Sequence, residues 1–106
     1  MNTPLTLDSA SRPDGAPVLF VSGEVDFSNS AELAAAVEEQ LDPDAGLLTV
    51  DLSGVDYLDS AGLSVLFAHA AQIELVINPL LAPVLAVSGL GELTAIRSVL
   101  APPGRG

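Results

Sequence analysis

The chain has 106 residues, and its 14 acidic residues against three cationic ones give a formal net charge of -11. This length predicts one domain that forms a core without metal or disulfide staples. Having no cysteine, the chain cannot form a disulfide framework or a thiolate metal site. The scarcity of cationic side chains argues against nucleic acid or an anionic membrane surface as a partner. The first residues lack a basic and apolar leader pattern, so we expect a cytoplasmic protein.

The first part of the chain predicts a β-hairpin. Leu5 and Leu7 alternate with polar residues, which is the pattern of a half-buried strand. Residues 12–15 contain the proline and glycine of a tight turn. Residues 17–22 form the apolar second arm, which ends in the sequence Gly-Glu-Val-Asp at 23–26.

A first helix is predicted after Asn29. The Asn29 side chain is suited to cap the first turn, and Glu32 lies in the capping-box position three residues later. Leu33, Val37 and Leu41 repeat at four-residue spacing and predict the buried face of this helix. Residues 42–46 contain the proline and glycine that end it.

The middle of the chain predicts a buried strand, a loop and a second helix. Residues 47–52 form a short apolar run typical of a strand covered on both faces. Residues 53–58 are predicted as a loop, and a helical pattern begins at Ser60, which we expect to act as the N-cap. Ser60 thus places one hydroxyl where a strand is followed by a helix.

The last part predicts a further strand over residues 73–77 and a third helix that begins at Asn78-Pro79 and ends at Gly89. Pro83 falls inside that helix, where it should bend or loosen a turn. Residues 92–100 suit either a helix or a strand. We therefore expect an α/β domain over residues 1–100, with a mixed sheet of four to five strands and helices packed on it, followed by a mobile tail over residues 101–106.

Catalysis by Ser60 is not supported by the sequence. The only histidine is His69, and nine helical steps would put it on the side of the helix opposite Ser60. A nucleophile elbow would require glycine where Leu58 stands. The acids, including Asp51 and Asp56, do not follow the order of a calcium loop. We expect no catalytic residue, no metal site and no cofactor, so that Ser60 is either a simple cap or a hydroxyl modified by another protein.

Four motifs resemble the STAS domain of bacterial anti-sigma factor antagonists. These motifs are Val-Asp-Leu-Ser-Gly-Val at 50–55, Leu-Asp-Ser-Ala-Gly-Leu at 58–63, Gly-Glu-Val-Asp at 23–26, and Asn-Pro at 78–79 followed by Ser-Gly-Leu at 88–90. The resemblance would make residues 94–99 a short final strand.

The resemblance also implies a function and a site. It implies that the chain binds an anti-sigma factor with kinase activity, is released when Ser60 is phosphorylated, and is reset by a metal-dependent phosphatase. The ATP and Mg²⁺ would belong to the kinase. A scaffold without phosphorylation, in a stress-signalling or lipid-transport complex, is the alternative. The residues implied to face the partner are Asp26, Asp59, Ser60, Ala61, Gly62 and Leu63.

The chain departs from the family pattern in two places that affect its surface. The interval from Gly62 to Asn78 is shorter than in the family, and the third helix lacks the usual basic and polar residues. Both departures should leave apolar surface uncovered. We therefore expect either a homodimer or a domain of low stability.

Overall fold

One mixed sheet contains all five strands of residues 3–98, the part of the chain that the computed structural model describes. The strands are Thr6–Ser11 (β1), Pro17–Val25 (β2), Leu48–Leu58 (β3), Ile73–Ile77 (β4) and Ala95–Ser98 (β5). They lie side by side in their order along the chain. β1 and β2 form the predicted antiparallel hairpin, and each of the other neighbouring pairs is parallel.

Three helices connect the parallel strands in turn. They are Ser30–Gln40 (α1), Ser60–Ala68 (α2) and Ala82–Ser88 (α3). Each crossover joins adjacent strands and moves in the same direction across the sheet, so right-handed connections place all three helices on one face. The predicted α/β fold, with a mixed sheet of four to five strands and helices packed on it, is confirmed. No helix within residues 3–98 has both the length and the apolar character needed to cross a membrane.

The hydrophobic core lies between the sheet and the helix layer. Leu48, Val50 and Leu52 of β3 are fully buried, whereas of the residues that alternate with them Asp51 and Ser53 are half-buried and only Thr49, which bonds to Arg12, is buried. This alternation shows that one face of β3 packs under the helices and the other does not. From the helix layer, the core receives Leu33, Val37, Leu66, Leu81 and Leu85.

On the opposite face of the sheet, one cationic side chain joins three strands. Arg12, directly after β1, places Nη1 3.1 Å from Thr49 Oγ1 and 3.0 Å from Glu74 Oε2. The Thr49 hydroxyl donates to the same Glu74 oxygen at 2.9 Å. Because Thr49 lies on β3 and Glu74 on β4, this network holds the end of β1 against the middle of the sheet.

The predicted loop over residues 53–58 is wrong, because β3 continues to Leu58. Its partner β2 also runs beyond the predicted end, so that Val25 pairs with Leu58. The register between β2 and β3 shifts at two places. At Gly54, an added Cβ would lie 2.9 Å from Ser22 Cβ, so the absence of a side chain permits this close approach. The backbone of residues 53–58 is therefore paired in the sheet, and the segment contributes Val55 and Leu58 to the core.

The third helix begins later than predicted. Pro79–Leu81 form a 3₁₀ turn, and α3 starts at Ala82, so Pro83 lies in its first turn. A proline there removes no intrahelical hydrogen bond, because the first N–H groups of a helix have no partner within it. Gly89, with φ of 81°, ends the helix as predicted.

The ambiguous residues 92–100 contain the strand β5, as the family resemblance implied. A 3₁₀ turn, Leu90–Glu92, precedes it. The Thr94 hydroxyl donates to the carbonyl oxygens of Ala70 and Ile73 and fixes the start of the strand. The predicted domain end at residue 100 and the predicted tail over 101–106 lie outside the described residues.

Candidate functional site

The predicted site residues meet where β2 and β3 end side by side. The Asp59 N–H donates to the carbonyl oxygen of Val25 at 3.1 Å. Asp26 follows Val25, and Ser60 follows Asp59. The parallel pairing of two strands therefore brings two acidic residues that are 33 positions apart in the sequence to one edge of the sheet, next to the serine.

Asp59 is the N-cap of α2, and the prediction that Ser60 has this role is wrong. The Asp59 Oδ1 atom accepts from the backbone N–H groups of Ala61 at 2.9 Å and Gly62 at 3.1 Å. Ser60 is the first helical residue and is exposed. Its hydroxyl makes no hydrogen bond with any other residue of the described range 3–98, while its carbonyl oxygen accepts from Ser64 Oγ at 2.9 Å. The Ser60 hydroxyl is therefore open to solvent at the start of the helix.

Gly62 lies beneath this surface. It is buried, and a Cβ at this position would lie 2.5 Å from Leu58 Cδ1 and 2.8 Å from Val25 Cγ1. The missing side chain lets the first turn of α2 pack directly on the ends of β2 and β3. Ala61 and Leu63 are half-buried, so Ser60 is the one exposed residue of the segment 60–63. Gly62 was expected at the partner-facing surface, and in this position it supports that surface from below.

The loop after β2 is fixed by Asp26 and Asn29. The Asp26 carboxylate accepts from both the hydroxyl and the backbone N–H of Ser28, and these hydrogen bonds hold the pKa of Asp26 below its ordinary value. The Asn29 amide oxygen accepts from the Asp26 N–H at 3.0 Å, and its NH₂ donates to the Glu24 carbonyl at 2.9 Å.

Because these bonds occupy the Asn29 side chain, the capping role predicted for it is wrong. Asn29 stands at the N-cap position of α1, but its side chain makes no capping hydrogen bond. The expected capping box with Glu32 is therefore not formed. The sequence identified the correct position and assigned the wrong partner to its side chain.

His69 is far from Ser60. It is the C-cap of α2, and its Nε2 atom lies 3.6 Å from Glu38 Oε2 on α1. Nine helical steps separate Ser60 from His69, which is about 13 Å along the axis. This separation, together with the predicted placement on opposite sides of the helix, keeps the two side chains from forming a dyad. Within residues 3–98, no group of three or more His, Asp or Glu side chains is placed to hold a metal ion.

The sequence reasoning placed Asn78 at the start of a helix but missed its contact with β3, and it missed Phe27 altogether. The Asn78 NH₂ group donates to the carbonyl oxygens of Ser53 and Val55, at 2.9 Å each, and thereby braces the irregular part of β3. Phe27, directly after Asp26, is 83% exposed. The only signal of Phe27 in the sequence was that a large apolar residue stands outside the apolar spacing of α1.

Comparison with known proteins places this geometry in a family. A family model described as "Mlab, STAS domain" matches residues 9–98. The chain belongs to the STAS domain family. The recognition made from the four sequence motifs is thereby confirmed.

This STAS domain is similar to proteins of named function over part of their length. It is 37% identical over 60 residues to "Anti-sigma-F factor antagonist RsfB" of Mycobacterium tuberculosis (strain H37Rv), a match that covers 57% of this chain and 49% of that protein. The chain thus spans about half the length of this curated relative.

Two solved structures share the fold of the STAS domain. A crystal structure of an anti-sigma factor antagonist from Mycobacterium paratuberculosis has a TM-score of 0.78 at 23% identity and covers 92% of this chain and 88% of that one. The anti-sigma factor antagonist SpoIIAA in its unphosphorylated form has a TM-score of 0.61 at 12% identity, with 95% and 92% covered. At these identities the likeness shows the fold alone.

Proposed function

We propose that this STAS domain is an anti-sigma factor antagonist that binds an anti-sigma factor through the surface around Ser60 and thereby frees a sigma factor for transcription. The observation that carries the proposal is the exposed Ser60 hydroxyl at the start of α2, beside Asp59 and the Asp26 loop. The names of these relatives support the same function. In this role the domain is a binding protein and a substrate, and none of its residues catalyses a reaction.

Phosphorylation of Ser60 is the proposed switch. The anti-sigma factor would transfer the γ-phosphoryl group of ATP to Ser60 Oγ, with loss of the hydroxyl proton and release of ADP, and ATP and its Mg²⁺ would be held by that kinase. A metal-dependent phosphatase would hydrolyse the phosphoserine and restore the hydroxyl. Both enzymes act from outside the domain, which needs only to expose the hydroxyl.

The arrangement of Asp59 explains how a phosphate would weaken binding. A phosphoserine carries about -1.5 to -2 charge at neutral pH. The Asp59 carboxylate already accepts the N–H groups of Ala61 and Gly62, so these donors are not available to a phosphate unless the cap is displaced. The added charge would therefore face an adjacent carboxylate and change both the cap and the electrostatics of the contact surface.

Mass spectrometry and binding measurements test this proposal. The chain is incubated with an anti-sigma factor kinase from the same organism and ATP, and the phosphorylated residue is mapped. We expect phosphate on Ser60, wild-type binding by Ser60→Ala, and at least about tenfold weaker binding by Ser60→Asp. Ser64→Asp is the matched control, since Ser64 is exposed on the same helix one turn later.

Two results would contradict parts of the proposal in different ways. Binding that is equal for Ser60→Asp and the wild type, with no phosphate on Ser60, would remove the switch and leave a scaffold that binds without phosphorylation. Failure of the wild type to bind any anti-sigma factor of the organism would remove the antagonist function itself.

Self-association is a separate part of the proposal. Leu80 is 70% exposed and Val87 is 89% exposed on the uncharged third helical segment. Val84 and Val87 also line an apolar groove together with Leu63 and Pro83. This surface is the one through which we propose that a homodimer would form.

A further inference from the structure

Phe27 is much more exposed to solvent than the other aromatic residues. Its exposed fraction is 83%, whereas those of Tyr57, Phe20 and Phe67 are 50%, 45% and 37%. These four are the aromatic residues of the chain. An apolar ring so fully in water contributes little to the core, and removing it from water would be favourable.

The backbone that carries Phe27 is held in place on both sides. The Asp26 carbonyl accepts from the N–H groups of Asn29 at 3.1 Å and Ser30 at 2.8 Å. The Asn29 side chain adds a bond to each of Glu24 and Asp26. Little backbone freedom therefore remains to be lost when a partner contacts the ring, and such preorganisation increases affinity.

The position and charge around Phe27 define what kind of partner it suits. The loop that carries Phe27 lies beside Ser60, because the Val25 carbonyl before it accepts from the Asp59 N–H. The acidic residues in this region are Glu24, Asp26 and Asp59. A second copy of this chain would bring equal negative charge to the contact, since each copy carries a net charge of -11. A partner with cationic side chains complements it.

We infer that Phe27 is an anchor residue that enters an apolar pocket on the protein partner, with arginine or lysine side chains at the rim of that pocket facing Asp26 and Asp59. Exposed aromatic residues on a fixed backbone are typical of residues that dominate binding energy. The inference rests on the proposed function, because it adds a contact to the surface around Ser60. Phe27 would then contribute to affinity, while phosphorylation modifies a different residue, Ser60.

Cross-linking in the bacterium that encodes the chain is the first test. The full chain carries the photoreactive residue p-benzoylphenylalanine at position 27 or, as control, at position 20, which lies on β2 on the sheet face that the helices do not cover. We expect one basic protein to be cross-linked from position 27 and not from position 20, and to be identified by mass spectrometry. Cross-linking only to a second copy of the chain, or to no protein, would overturn the inference.

Affinity for that purified partner is the second test. We expect Phe27→Ala to weaken binding by at least about 30-fold and Phe27→Tyr to retain most of it. Leu93→Ala, which shortens an apolar residue that is 58% exposed just before β5, should bind as the wild type does. Thermal unfolding of each variant checks that the exposed substitutions leave the fold intact.

The two hypotheses fail separately. If the partner is an anti-sigma factor and Phe27→Ala binds it within about twofold of the wild type, the anchor role is wrong and the antagonist function stands. If the partner is a basic protein of another class and Phe27→Ala weakens binding, the anchor role stands and the antagonist function is wrong.

Discussion

Asp59 combines a structural role with a charge at the proposed contact surface, and two substitutions separate them. Asp59→Ala removes the acceptor for Ala61 and Gly62, so we expect the free energy of unfolding to fall by about 1 kcal/mol. Asp59→Asn keeps an oxygen acceptor and should retain most of the stability while changing the charge. Urea unfolding measures the first effect. Equal stability of Asp59→Ala and the wild type would show that the cap contributes nothing.

Asp26 should give the domain a pH dependence of known sign. Hydrogen bonds from Ser28 lower its pKa from the ordinary value of 3.8 in the folded state. The stabilisation that follows is fully present above that ordinary value and is lost as the pH falls through the lower, folded-state pKa. We expect Ser28→Ala to raise the pKa of Asp26 in an NMR titration of its carboxyl carbon. An unchanged titration would contradict the assigned cause.

The cap of α2 shows what local sequence decides and what it does not. Both Asp59 and Ser60 are good N-cap residues, and the choice between them depends on where the backbone leaves the sheet. That point is set by the Asp59 N–H bond to Val25, a contact between distant parts of the chain. The sequence could therefore place the helix start to within one residue but could not assign the roles of the two side chains.

The first turn of α2 depends on close packing at Gly62. Gly62→Ala raises helix propensity by about 1 kcal/mol, but overpacking a buried site costs about 1–3 kcal/mol. The new methyl would meet Val25 and Leu58, which are both buried and have little room to move. We expect the free energy of unfolding, measured with urea, to fall by about 1 kcal/mol. We also expect weaker partner binding, because Ser60 would shift. Gly91→Ala, where the nearest atom is 3.8 Å away, is the control and should be close to neutral.

The elements differed in how well the sequence predicted them, according to whether local or distant contacts form them. The hairpin and α1 follow from local alternation and spacing, which are properties of short segments. The extension of β3 through residues 53–58 was missed because those residues are held by pairing with β2, and a strand partner is not visible in a local pattern. The network of Arg12 with Thr49 and Glu74 was missed for the same reason, since it joins residues up to 62 positions apart.

Charge and apolar surface act in opposite directions on the domain as a whole. The net charge of -11 repels copies of the chain, while exposed Leu80 and Val87 favour contact between them. We expect light scattering at high protein concentration to give a mass above the monomer's 10.8 kDa, and that mass to rise between about 0.05 and 0.5 M salt as repulsion is screened.

Substitutions on two helices test which surface is responsible. Val87→Glu should restore the monomer mass, whereas Ala35→Glu adds the same charge on exposed α1 and should not. A monomer at every salt concentration, together with a high unfolding temperature, would contradict both the dimer and the low stability expected from the uncovered apolar surface.

The strands occupy the sheet in the order in which a ribosome makes them. Each new strand joins the edge that the preceding one has just formed, so no strand waits for a distant segment before it finds its neighbour. Because domains generally fold from the N-terminus during synthesis, the hairpin, α1 and β3 can assemble before β4 is available. The surface around Ser60 is formed by the ends of β2 and β3 and by the start of α2. All of these parts have been synthesised by residue 68, while the last third of the chain is still to come.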